Sequence, residues 1–121
     1  MSMTVLTVDD SRTMREMLRL ALADAGFRVV QAEDGIHGLE VLQAEAPNVI
    51  VTDINMPRMD GFGFIEEVRG DQRYRGIPIL VLTTESDAEK KNRARMAGAT
   101  GWIVKPFNPI KLVDAIRRVA A

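Results

Sequence analysis

Residues 4–32 read TVLTVDDSRTMREMLRLALADAGFRVVQA, and this stretch decides the fold class. It opens on a short apolar run, Thr4 to Val8. Met14, Met17, Leu18, Ala21, Leu22 and Ala25 then recur at the three-and-four spacing of one helix face, with Gly26 placed to stop the helix. Arg28 to Ala32 follows as a second, more polar strand. Strand, helix and strand in about thirty residues form the unit of a parallel sheet, because parallel neighbours need a long crossover between them.

The alternation continues to the end of the chain. Asp34 is placed to cap a helix carrying Ile36, Leu39, Leu42 and Ala46, which Pro47 breaks. Val49 to Thr52 is the third strand, and a loop with Pro57 and Gly61 leads to a helix marked by Phe64, Ile65 and Val68 that ends near Gly70. Ile79 to Leu82 is the fourth strand. The charged segment Asp87 to Met96 has a thin apolar stripe and reads as a helix ended by Gly98. Trp102 to Val104 is the fifth strand, and Asn108 with Pro109 forms an N-cap and N1 pair before Leu112, Val113, Ile116 and Val119. Strands one, three and four are nearly all aliphatic, as strands covered on both faces must be, whereas the second and fifth are mixed and suit sheet edges. The order 2-1-3-4-5 satisfies this pattern. With right-handed crossovers the fold is α/β, a doubly wound, flavodoxin-like five-stranded parallel sheet.

At 121 residues, 46% hydrophobic and 27% charged, the chain has the size and composition of one compact domain. It contains no cysteine, which excludes disulfides and thiolate chemistry, and its single histidine, His37, rules out a histidine cluster. The longest apolar run, Ile77 to Leu82, is too short to cross a bilayer and the start lacks a signal peptide, so the expectation is a cytoplasmic monomer without membrane insertion. The net charge of −1 hides an asymmetry: residues 1–89 hold 8 Lys and Arg against 16 Asp and Glu, whereas residues 90–121 hold 8 against Asp114 alone. These basic residues are not interleaved with stacking aromatics and the pI is about 5.8, so no nucleic-acid partner is expected.

In a doubly wound sheet the ligand crevice lies at the carboxyl ends of the strands, beside the point where strand order reverses. The first run ends in Asp9 and Asp10, the third in Asp53, the fourth in Thr83 and Thr84, and the fifth in Lys105 followed by Pro106. Each has an ordinary reading alone: an N-cap for the aspartate pair, an Asx-turn for Asp53, a strand terminator for Thr83, a solvated amine for Lys105. Their convergence on one rim is what the ordinary readings do not supply. Two carboxylates about 4 to 5 Å apart repel by roughly 3 to 4 kcal/mol at an effective dielectric near 20, and one lysine does not cancel three of them. All candidate donors are oxygens, so the counter-ion is Mg²⁺, Mn²⁺ or Ca²⁺, and a site with few protein ligands that can share a phosphate favours Mg²⁺.

The motifs Val8-Asp9-Asp10-Ser11, Asp53-Ile54-Asn55-Met56-Pro57 with Met59-Asp60-Gly61, Leu82-Thr83-Thr84-Glu85, Ala97-Gly98-Ala99 and Val104-Lys105-Pro106-Phe107 resemble the CheY-like receiver domain of two-component response regulators over residues 1–121. The resemblance implies that Asp53 accepts a phosphoryl group from a CheA-like sensor histidine kinase or a small acyl phosphate. It implies Mg²⁺ held by Asp10, Asp53 and the main-chain carbonyl of Asn55, with Asp9 acting largely through metal-bound water. Thr83 and Lys105 would contact the phosphoryl oxygens, and the Lys105–Pro106 bond would be cis. Trp102 stands where the family usually has Tyr, Phe or His, the aromatic that swings inward with Thr83; its larger indole offers only an N–H donor, so a partial shift is expected.

Such a domain is a switch and not an enzyme, catalysing only its own phosphorylation and dephosphorylation. Lys90, Lys91, Arg93, Arg95, Trp102 and Lys111 lie on the elements whose surface an effector reads, which gives the basic asymmetry a use. The chain ends just past the fifth helix, and Asn55 and Glu85 match the chemotaxis subgroup, so a flagellar motor switch protein is the expected target, with a phosphatase as a further partner. A phosphorelay intermediate or phosphate sink would carry the same residues. A phosphatase turning over through an aspartyl phosphate lacks its Asp-x-Asp signature here, since Asp9 and Asp10 are adjacent. A flavin carrier would need hydroxyls and amides, not two carboxylates, after its first strand.

Overall fold

A computed structural model describes residues 3–120 of the chain. The elements are β1 (Thr4–Val8), α1 (Arg12–Asp24), β2 (Arg28–Ala32), α2 (Gly35–Glu45), β3 (Val49–Thr52), α3 (Gly61–Gly70), β4 (Ile79–Thr83), α4 (Ala88–Ala97), β5 (Gly101–Val104) and α5 (Pro109–Ala120). The strands are all parallel, in the order β2-β1-β3-β4-β5. One 3₁₀ turn, Gln72–Tyr74, follows α3 and has no counterpart in the sequence reading. No helix among the described residues is long and apolar enough to cross a membrane.

The strand period of two sorts the core into two layers. Val5, Val49, Val51, Leu80 and Leu82 meet Leu18 and Leu22 of α1 and Leu112 and Ile116 of α5. Their neighbours Leu6, Val8, Ile50, Ile79 and Val81 point the other way, toward Leu42 of α2, Phe64, Ile65 and Val68 of α3, and Ala94 of α4. The apolar stripe of α1 is narrower than its spacing implied. Only Leu18 and Leu22 are buried, while Met17 is 49% exposed, because three-residue steps drift off the buried line of a 3.6-residue turn. The edge strand β2 carries Gln31, whose amide donates to Thr7 Oγ1 and to the Arg15 carbonyl, both at 2.8 Å.

Helix ends follow local chemistry. The side chains of Ser11, Asp34, Asp60 and Asp87 accept main-chain N–H groups in the first turns of α1, α2, α3 and α4. Asn108 Oδ1 accepts from Lys111 N at the start of α5. Helix α4 buries only Ala94, and polar contacts hold the rest of it. The Arg93 guanidinium lies 4.0 Å from the Phe62 ring centroid, Lys90 pairs with Glu85 at 3.1 Å, and Arg69 Nε donates to the Gly98 carbonyl at 3.0 Å.

Gly61 brings the start of α3 against the end of β3. A Cβ there would lie 2.2 Å from the Asp53 carbonyl oxygen and 2.8 Å from Ile54 Cα, both main-chain atoms that cannot rotate away. Gly61→Ala is therefore expected to cost about 2 kcal/mol or more by overpacking, read as a lower urea midpoint at unchanged slope. Gly70→Ala meets nothing within 4 Å at the end of the same helix and is expected to be neutral or slightly stabilising.

Candidate functional site

The residues of interest stand one step beyond the strands, where the main chain is still hydrogen-bonded into the sheet. Asp9 N–H donates to the Ala32 carbonyl at 3.1 Å, Asp53 N–H to Val8 at 2.9 Å, and Lys105 N–H to Thr83 at 2.8 Å. Sheet order then decides which side chains meet: β1 and β3 are neighbours, so Asp9 and Asp53 lie side by side. Carboxylate oxygens of Asp9, Asp10 and Asp53 all fall within 4.8 Å of one another. Lys105 crosses from the edge strand, its Nζ 2.9 Å from Asp9 Oδ2 and 2.8 Å from Asp53 Oδ2. The Lys105–Pro106 peptide bond is cis.

Burial makes this arrangement costly. Asp9 is 2% exposed, and loss of solvent raises its carboxyl above the usual aspartate range although hydrogen bonds from Lys105 and the Ser11 N–H pull the other way. The same burial disfavours the Lys105 ammonium, but its bonds to Asp53 and Asp9 outweigh that and hold its pKa above the usual lysine value. Asp53 is also buried, and its Oδ1 accepts the Ile54 N–H at 2.6 Å. One ammonium balances one of three negative charges. The donor set is all oxygen and includes the exposed carboxylate of Asp10, which fits a hard divalent cation with room for water.

The ordinary readings of the aspartate pair and of Lys105 are displaced. The N-cap of α1 is Ser11, whose hydroxyl accepts from Met14 N at 3.2 Å, so neither aspartate is occupied as the cap. Lys105 is largely shielded, its side chain 10% exposed, and ion-paired. Thr83 keeps a small local role: it is fully buried, and its Oγ1 accepts the Glu85 N–H at 3.3 Å.

Glu85 ties the rim to α4 and β5. Its carboxylate accepts from Asn55 Nδ2 at 3.0 Å and from Lys90 Nζ, and its main-chain carbonyl accepts the Trp102 indole N–H at 3.1 Å. Trp102 is half-buried on β5, on the face covered by α4. The six residues expected on a partner surface divide accordingly. Lys90 and Arg93 are engaged within the molecule, Lys91 and Arg95 border a cavity of about 130 Å³ with Trp102, and Lys111 lines a second cleft that Trp102 also borders.

Two contacts near the site had no signal in the sequence. Arg15 Nη1 donates to the Asp9 carbonyl at 2.7 Å. Asp34, 3% exposed, receives Arg58 Nε at 2.7 Å and Nη2 at 3.0 Å. The latter partners are separated by 24 residues in two different loops, and no spacing rule joins them.

A family model for the response regulator receiver domain matches residues 5–117. The chain belongs to the response regulator receiver family. This receiver is 40% identical over 119 residues to the chemotaxis protein CheY1 of Helicobacter pylori strain ATCC 700392 / 26695, covering 97% of this chain and 96% of that protein. It is 36% identical to the chemotaxis protein CheY-3 of Vibrio cholerae, over 98% of this chain and 92% of the relative. A high-resolution structure of the chemotaxis response regulator CheY4 of Vibrio cholerae superposes with a TM-score of 0.92 at 46% identity, covering 98% of this chain and 99% of that one. Receivers of this kind are two-component signalling domains and not classical enzymes.

Asp9 and Asp34 are expected to titrate with opposite effects on the metal-free receiver. Because the folded Asp9 carboxyl sits above its unfolded value, its ionisation subtracts stability as pH rises past about 4. Asp9→Asn in EDTA should therefore melt higher than wild type at pH 7, with the difference closing as pH falls toward 4. The hydrogen bonds from Arg58 hold the Asp34 carboxyl below its usual range, so its contribution is present above about pH 4 and lost as pH falls through the lowered value. Asp34→Asn should lower the melting temperature at pH 7 and flatten that acid limb.

Proposed function

We propose that this receiver is a phosphorylation-dependent switch in which Asp53 takes a phosphoryl group from a sensor histidine kinase or a small acyl phosphate. The observation that carries the reading is the Asp53 carboxylate, pinned at the end of β3 by Lys105 and set against two further carboxylates. In the transfer, a carboxylate oxygen of Asp53 forms the new P–O bond as the phosphorus–nitrogen bond of the donor, or the P–O bond of an acyl phosphate, breaks. Asp53 Oδ1 stays tethered by the Ile54 N–H, which leaves Oδ2, the oxygen on Lys105, as the one presented for attack. Asp10, Asp53 and the main-chain carbonyl of Asn55 would hold Mg²⁺, with Asp9 at one remove. That ion supplies the charge neutralisation which lets an anionic donor approach an anionic acceptor.

Lys105 then moves with its charge from the Asp53 carboxylate to a phosphoryl oxygen, and the Thr83 hydroxyl turns to another. Thr83 gives up the Glu85 N–H in doing so, and Glu85 carries the change to Asn55, Lys90 and Trp102. The surface that changes is α4, β5 and α5, with Lys90, Lys91, Arg93, Arg95, Trp102 and Lys111 meeting the effector. The chemotaxis names of the relatives support an effector in that pathway, which we read as a flagellar motor switch protein, with a CheA-like kinase as donor and a phosphatase resetting the state.

Acetyl phosphate with Mg²⁺ is expected to label wild type at one side chain, and Asp53→Asn to abolish the label; phosphate mapped to Asp9 or Asp10 in the wild type would overturn the assignment. Mg²⁺ at about 100 times its Kd should stabilise the fold by roughly 2.7 kcal/mol in urea melts, and Asp10→Asn should remove most of that response. Trp102 reports the switch. Its emission should shift when a beryllium fluoride mimic binds, and the shift should weaken in Thr83→Ala, in which the hydroxyl link to Glu85 is gone.

A further inference from the structure

The loop from Asp53 to Asp60 is tethered at two places. Near its start, Asn55 Nδ2 is bonded to Glu85. Near its end, Arg58 adopts a left-handed backbone, φ 64°, a conformation costing an ordinary residue on the order of 1 kcal/mol. Its guanidinium reaches out of this turn to grip Asp34 with two hydrogen bonds. Asp34 is itself fixed, being buried and accepting the His37 N–H at 2.9 Å as the N-cap of α2. The next residue reinforces the join: Gly35 N–H donates to the Met59 carbonyl at 3.0 Å, and a Cβ on Gly35 would lie 2.7 Å from that oxygen. The far end of the loop is thus bolted to the start of a helix packed on the sheet. Met56 and Pro57 are strung between the tethers, directly after Asn55.

We propose that Asp34 and Arg58 are positioning residues of the phosphoacceptor site, their paired hydrogen bonds fixing the Asp53–Asp60 loop so that the Asn55 main chain is held ready for a divalent cation beside Asp53. The inference rests on the reading of this site as a Mg²⁺-dependent phosphoacceptor. Neither residue touches the reacting atoms; both act through the course of the main chain. A contact that only stabilised the fold would move the melting temperature and leave the cation affinity alone. Outer hydrogen bonds that orient metal ligands change affinity by about 10- to 100-fold, and loss of this pair is expected to weaken Mg²⁺ binding about tenfold.

Two variants test this without a forced loss of fold. Arg58→Gly removes the guanidinium while relieving the left-handed residue, and Asp34→Asn removes the charge while keeping a good N-cap. Mg²⁺ binding to each full chain, with Asp53 intact, is measured by calorimetric titration below all melting temperatures, and amide exchange between Asn55 and Met59 is followed in EDTA. Each variant should bind Mg²⁺ about tenfold more weakly than wild type. The double variant should bind no more weakly than either single one, since both break the same link. The loop amides should exchange faster while those of β1 and β3 do not. Wild-type Mg²⁺ affinity in both variants overturns the inference, whatever happens to their melting or exchange. A wild-type chain that binds no Mg²⁺ overturns the phosphoacceptor reading and this inference with it, and the wild-type titration alone distinguishes that case.

Discussion

A single ammonium group, that of Lys105, lies between two buried carboxylates with a third beside them, and much of the architecture serves to keep it there. The two carboxylates come from β1 and β3, which the order β2-β1-β3-β4-β5 makes neighbours. The ammonium comes from β5 and must pass the end of β4, where fully buried Thr83 stands. Only a long side chain makes that crossing. Because each main chain remains in the ladder one residue past its strand, the charges cannot drift apart to relieve their repulsion. The fold holds an unbalanced charge in place, and a site so charged favours a cation and responds to a group that changes its sign count.

The parts around this centre differ in how they are attached. Helices α1, α3 and α5 are fixed by apolar side chains sunk into one of the two core layers. Helix α4 is fixed mainly by polar contacts at its ends and along one side, through Lys90, Arg93 and the carbonyl of Gly98. Its first turn reaches the rim through Glu85. A change at the rim therefore meets a helix whose restraints are few and directional, one of them, Lys90 to Glu85, connected to that rim, whereas helices such as α3 and α5 are held by many undirected contacts.

How much of this could be read in the chain depends on the range of each interaction. The strand order was legible because Val49 to Thr52 and Ile79 to Leu82 are aliphatic throughout while Arg28 and Gln31 mark an edge, a pattern set by burial alone. The candidate site was legible because its members are strand-end residues, and topology places strand ends together whatever lies between them. The N-cap of α1 was harder: three adjacent residues, Asp9, Asp10 and Ser11, all have capping side chains, and only the backbone geometry assigns the task to Ser11. The exposure of Met17 follows from the drift of three-residue steps off the line of Leu18 and Leu22, and only the structure shows that the sheet covers that line alone. The Asp34–Arg58 link joins two loops and the Trp102–Glu85 link joins β5 to a loop, both through side-chain reach, and nothing local in either partner announces the other.

The sparse attachment of α4 has a consequence for recognition. Sparse apolar burial puts α4 among the less firmly held parts of the fold, and any protein that grips it restricts what freedom it has. A change at the rim that stiffens the Glu85 link restricts part of it in advance. Under the proposed switch a partner would then bind more tightly even if the surface it touches kept the same average shape. If the proposed switch acts through α4, part of what it passes outward is a loss of entropy, larger the more loosely α4 is held beforehand.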